Sequence, residues 1–151
     1  MGRLQLSLVM ALVWLFSSAS AAAADKPKYA VAYRQGIMTA LAWNIGPLGK
    51  MIKGDLIFDP TRFSFLAERA ALLAPMALEG FTPDTAAVKS HVKAELWQHQ
   101  DDFKHRMQEL QAATAELAKL AKLGDQANIR VVFGDTVKIC KSCHDQYQTK
   151  H

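Results

Sequence analysis

The chain of 151 residues is half hydrophobic and 21% charged, with a formal charge of +4 and two cysteines. A chain of this length builds one domain around its own core, and its apolar content excludes a disordered polymer. The small, scattered basic excess excludes the clustered Lys and Arg face of a nucleic-acid binder.

At the N-terminus Arg3 precedes an apolar run from Leu4 to Phe16, interrupted only by Gln5 and Ser7. Small residues follow to Ala24, and Ala22-Ala23-Ala24 has the small-x-small form that signal peptidase needs. Residues 1–24 therefore read as a secretory signal peptide, cleaved before Asp25. The run is too short for a membrane anchor, which needs about 20 apolar residues. The leader removes Arg3 and no acidic residue, which leaves 17 basic against 14 acidic residues over the 127 of 25–151. The expected product is exported, free of the membrane after cleavage, and in a bacterium periplasmic.

From Lys28 onward the signals are helical, with no strand-like alternation. Arg34, Met38, Leu41, Ile45, Leu48 and Ile52 alternate steps of four and three, the seam of a bundle helix that Gly54 closes. Gly46-Pro47 inside it predicts a kink or irregular turn. Asp59-Pro60 caps a second helix, expected to end near Leu73 before Pro75. Residues 75–93 read as a crossover loop with some helical turn after Pro83. A third helix is expected from Ala94 to Leu123, stopped by Gly124, with Phe103, Met107, Leu110, Thr114, Leu117 and Ala121 as its stripe. Asp125 caps a fourth, to about Gln148, whose stripe is Ile129, Phe133, Thr136, Cys140, Cys143 and Tyr147. The fold expected of residues 25–151 is all-α, an antiparallel four-helix bundle.

The two cysteines stand in Cys140-Lys141-Ser142-Cys143-His144, the C-x-x-C-H signature of c-type haem attachment. On a helix, residues i and i+3 share a face, so both thiols can reach the two vinyl groups along one porphyrin edge. The next imidazole can then reach the iron, which makes His144 the metal ligand. Other readings fare worse. A disulfide closing so short a loop on a helix would staple almost nothing. A thioredoxin-like pair needs a helix N-terminus in a βαβ setting. A zinc site needs two more ligands, and His91, His99, His105 and His151 form no second cluster. Export agrees with haem, because c-type attachment takes place outside the bacterial cytoplasmic membrane.

A motif this close to the C-terminus, on the last helix of a bundle, resembles the cytochrome c′ family. Tyr33-Arg34-Gln35, Ala94-Glu95-Leu96-Trp97, Phe133-Gly134-Asp135 and Cys140 to Tyr147 carry the resemblance over the mature chain. It implies one covalent haem c, with Arg34 near a propionate, Gln35 bordering the same edge, and Met38 on the distal face. It implies binding of small gases such as nitric oxide and carbon monoxide at a five-coordinate iron, and electron exchange with redox partner proteins. The alternative is a low-spin electron carrier with Met38 as distal ligand, because a thioether both ligates iron and packs as a flexible plug. Trp97 matches a family tryptophan that packs near the haem or the dimer surface, while His91 is expected to be exposed. Gln148 departs from the basic residue usual four positions after the haem histidine. The family commonly forms a homodimer through its first two helices, where Ile37, Trp43 and Phe65 are candidate contacts. No enzyme is expected, because Met38, Leu41 and Ile45 on the distal seam can neither move a proton nor stabilise charge.

Overall fold

The computed structural model describes residues 26–149 in full and, within the first helix, the backbone of residues 2–25. Residues 1–24, the segment read as a leader, thus lie outside the residues whose side chains are described. Five helices follow one another: α1 (Gly2–Lys53), α2 (Pro60–Glu79), α3 (Glu95–Gln98), α4 (Gln100–Leu123) and α5 (Gln126–Tyr147), with a 3₁₀ turn at Pro83–Thr85. The four long ones form the bundle, with α2 packed between α1 and α4, and α4 between α2 and α5. Among the described residues no helix is long and apolar enough to cross a membrane.

The caps fall where the sequence put them. The Asp59 carboxylate accepts from the Arg62 amide at 3.0 Å, and that of Asp125 from the Asn128 amide at 3.2 Å. Gly54 and Gly124 end α1 and α4 with φ of +86° and +70°, a region where a side chain would collide with the backbone.

Four expectations need correction. Pro75 does not end the second helix, which continues to Glu79. Pro75 faces solvent while Ala70, Ala74 and Ala77 are fully buried. Packing of that alanine face outweighs the proline, which costs about 3 kcal/mol in a helix interior. At Gly46-Pro47 α1 continues as helix, so the irregular turn allowed for there does not form. The third helix is divided at His99, with φ −122° and ψ 44°, and its first turn becomes the separate α3. This break lets Leu96 bury in the core while α4 directs Phe103, Met107 and Leu110 the same way. Finally, one isolated antiparallel bridge pairs Val92 with Gln148 and ties the end of α5 to the α2–α3 connection.

The core divides into two clusters along the bundle. At one end Leu48 and Met51 of α1 meet Phe63, Leu117, Ile129 and Phe133. There α1 and α5 nearly touch: a Cβ on Gly49 would lie 3.2 Å from the Phe133 ring, and Arg130 Nη1 donates to the Ile52 carbonyl at 2.7 Å. Toward the other end the two helices diverge, and the space between them is the cavity that holds the site.

Candidate functional site

The cavity measures about 610 Å³ and is walled by α1, α4, α5 and the α2–α3 connection. Its size falls within the ~300–1,000 Å³ of ordinary ligand and cofactor pockets. Cys140, Cys143 and His144 all line it from α5. Both thiols are half-buried and unbridged. Burial pushes the Cys140 thiol up, and pushes that of Cys143 up to about 11 against the opposing pull of the Arg106 charge. A thiol–disulfide redox pair needs the opposite shift, so the electrostatics disfavour that chemistry. Two sulfurs on one face of a helix, with an imidazole beside them, suit attachment of a flat group along the α5 wall.

Facing them, α1 contributes Arg34, Gln35, Met38, Leu41 and Ile45. Arg34 is 2% exposed, yet among the described residues no carboxylate pairs with it. Its Nη1 donates to the Gly80 carbonyl at 2.9 Å and to Thr85 Oγ1 at 2.8 Å, and Nη2 donates to Ser90 Oγ at 3.2 Å. The guanidinium also lies 4.5 Å over the Phe81 ring and 5.9 Å over that of Trp97. Burial alone lowers its pKa. A buried cation held only by neutral groups at a cavity wall calls for an anion on whatever fills the cavity.

Most of the remaining lining is apolar. Met38 is half-buried on the α1 wall, and Met107 and Leu110 close the α4 side. The hydroxyls of Thr39 and Thr114 are turned back onto helix carbonyls, Gln35 at 2.9 Å and Leu110 at 2.8 Å. Neither is aimed at a ligand.

The family model described as Cytochrome C' matches residues 29–148, nearly the whole described bundle. The chain belongs to the cytochrome c′ family. It is 34% identical to the cytochrome c′ of Rubrivivax gelatinosus, over 83% of this chain and 98% of that protein. It is 37% identical to the solved cytochrome c prime from Shewanella frigidimarina, with a TM-score of 0.80, covering 83% of this chain and 98% of that one. A nitric oxide complex of a cytochrome c prime variant from Alcaligenes xylosoxidans superposes with a TM-score of 0.77 at 31% identity, covering 83% and 98%. The cofactor of this cytochrome c′ is haem c, covalently held by the two cysteines of the chain.

The structure brings all six residues singled out in the sequence to one cavity: Arg34, Gln35 and Met38 on one wall, Cys140, Cys143 and His144 on the other. Gln35 sits at the exposed shoulder of its wall. Trp97 is half-buried, with its ring 5.9 Å from the Arg34 guanidinium, and does not line the cavity. His91 is exposed at the rim, and its carbonyl accepts from the Thr149 amide at 2.9 Å. Gln148 also lines the cavity.

Sequence reasoning missed Thr85 and Ser90, which hold Arg34, and the group Asp102, Arg106 and Tyr147 beside the attachment motif. The Tyr147 hydroxyl donates to Asp102 Oδ2, which also accepts from Arg106 Nε at 2.7 Å. Hydrogen bonding from Arg106, then from Tyr147, holds the Asp102 carboxyl below the usual range. An i, i+4 Asp–Arg pair was visible on the third helix, but nothing in the spacing showed that it faces α5.

Proposed function

We propose that this protein is a periplasmic cytochrome c′ that binds nitric oxide or carbon monoxide at a five-coordinate iron and exchanges electrons with redox partner proteins. One observation carries the reading: a single cavity has both thiols and His144 on its α5 wall and Met38, Leu41 and Ile45 on the α1 wall opposite. In this reading Cys140 and Cys143 would hold the haem through thioethers and His144 would ligate its iron. Arg34 would pair with a propionate, Gln35 would border that edge, and Met38 would cover the iron's open face without binding it. Haem iron supplies the redox couple and the coordination position for a diatomic gas.

The chain's own residues set what can enter. The apolar α1 wall excludes water and favours small neutral ligands over anions. The stretch of that wall formed by Met38, Leu41 and Ile45 carries no side-chain proton donor, as peroxide cleavage at a ligand held there would require. The nitric oxide complex of the Alcaligenes xylosoxidans relative supports the gas-binding reading. Export through the leader of residues 1–24 supports the periplasm. A homodimer through α1 and α2 is supported by Trp43 and Phe65, which are 77% and 57% exposed, whereas Ile37 is half-buried in its own chain and unsuited to the contact.

The test is the ferric absorption spectrum with and without Met38→Ala, together with carbon monoxide binding to the reduced protein. High-spin spectra for both proteins and faster binding to the variant are expected. A charge-transfer band of an iron–methionine bond, abolished by Met38→Ala, would refute the open site and establish the low-spin carrier instead.

A further inference from the structure

Arg106 lines the cavity from α4, as Cys143 and His144 do from α5. It reaches α5 twice, donating from Nη1 to Ser142 Oγ at 3.3 Å and from Nη2 to Gln146 Oε1 at 3.0 Å. Ser142 lies two residues before His144 and Gln146 two residues after it, so the two bonds straddle the histidine. The remaining donor, Nε, is taken by Asp102, which also accepts the Tyr147 hydroxyl. The guanidinium lies 6.0 Å from the centre of the Tyr147 ring. A lone surface ion pair contributes little, but this fork spends all three nitrogens on partners from two helices and is only partly exposed.

We propose that Arg106 is a positioning residue of the axial-ligand side: it clamps the turn that carries His144 and, anchored by Asp102, supplies a fixed positive charge that raises the reduction potential of the site. The inference rests on the reading of His144 as axial ligand. A cation fixed near the iron disfavours the more positive ferric state, and an anion there favours it. Arg106 and Asp102 therefore pull the potential in opposite directions, although both contribute to the same structural clamp.

That opposition separates charge from architecture. Midpoint potentials are measured on holoproteins carrying Arg106→Gln, Arg106→Lys and Asp102→Asn, with Glu116→Gln further along α4 as a remote charge control. The expected result is a lower potential for Arg106→Gln, a higher one for Asp102→Asn, and a value near the parent's for Arg106→Lys and Glu116→Gln. Equal shifts from Asp102→Asn and Glu116→Gln, or shifts of one sign from Arg106→Gln and Asp102→Asn, overturn the proposal. Should Arg106→Gln fail to accumulate, Asp102→Asn and Arg106→Lys decide it: an unchanged or lowered potential in Asp102→Asn overturns it. The parent reading is tested separately by His144→Ala. A parental axial spectrum in that variant refutes His144 as ligand, whereas its loss leaves the potentials to judge Arg106 alone.

Discussion

Replacing Gly80 with alanine tests how Arg34 is held. Gly80 ends α2 at φ −86° and ψ 8°, a conformation open to any residue, so its backbone does not demand glycine. Space does. A Cβ there would lie 2.6 Å from the Ala30 carbonyl oxygen and 2.8 Å from Arg34 Cβ, neither of which is the far end of a flexible side chain. The α1–α2 crossing must open, an overpacking cost of about 1–3 kcal/mol. Opening it lengthens the 2.9 Å bond from Arg34 to the Gly80 carbonyl. Hydrogen bonds to charged groups contribute ~1.5–3 kcal/mol, so partial loss brings the expected destabilisation to about 2–4 kcal/mol. Gly36→Ala is the internal control, because an added Cβ there meets nothing within 4 Å. In a helix interior that change should stabilise by ~0.5–1 kcal/mol. Urea denaturation of the holoproteins measures both, compared at equal m-value. If Gly80→Ala unfolds within ~0.5 kcal/mol of the parent, the close approach does not hold Arg34 in place and the reasoning fails.

Phe133→Ala should cost ~3–5 kcal/mol of stability by removing the ring that meets Gly49 where α1 and α5 converge; a value near zero in the same titration would show that the convergence does not shape the cavity. The Tyr147 phenol is pushed up to about 12, first by burial and then by its hydrogen bond to Asp102. Between pH 10 and 12 the folded chain thus keeps a proton that the unfolded chain has lost, and stability should fall as pH rises through that window. Tyr147→Phe should flatten this dependence in denaturation curves across the window, and an unchanged slope would place the alkaline loss elsewhere.

Much of this protein was legible without coordinates. Helical periodicity, the Asp59 and Asp125 caps and the stops at Gly54 and Gly124 depend on residues within one turn of each other, and local patterns report local interactions faithfully. The C-x-x-C-H motif is equally local, since its chemistry needs only neighbours on one helix face, and the seam of α1 placed Arg34 and Met38 toward it. Pro75 misled because a local rule met a tertiary gain: the alanine face of α2 buries well enough to carry the helix past it. The division at His99 had no local marker and follows from the need to bury Leu96 while α4 faces the cavity.

Contacts between distant segments escaped for the same reason. Thr85 and Ser90 reach Arg34 across more than fifty residues, and Arg106 meets Ser142 and Gln146 across 36 and 40. No periodicity encodes which exposed-looking polar residue will meet which. The sequence by itself determined a helical bundle, its haem anchor and the two walls facing each other. Only the tertiary structure decided how far those walls stand apart, what holds the buried Arg34, and which charge on α4 is bonded to the turn that carries His144, because each depends on how whole helices pack together.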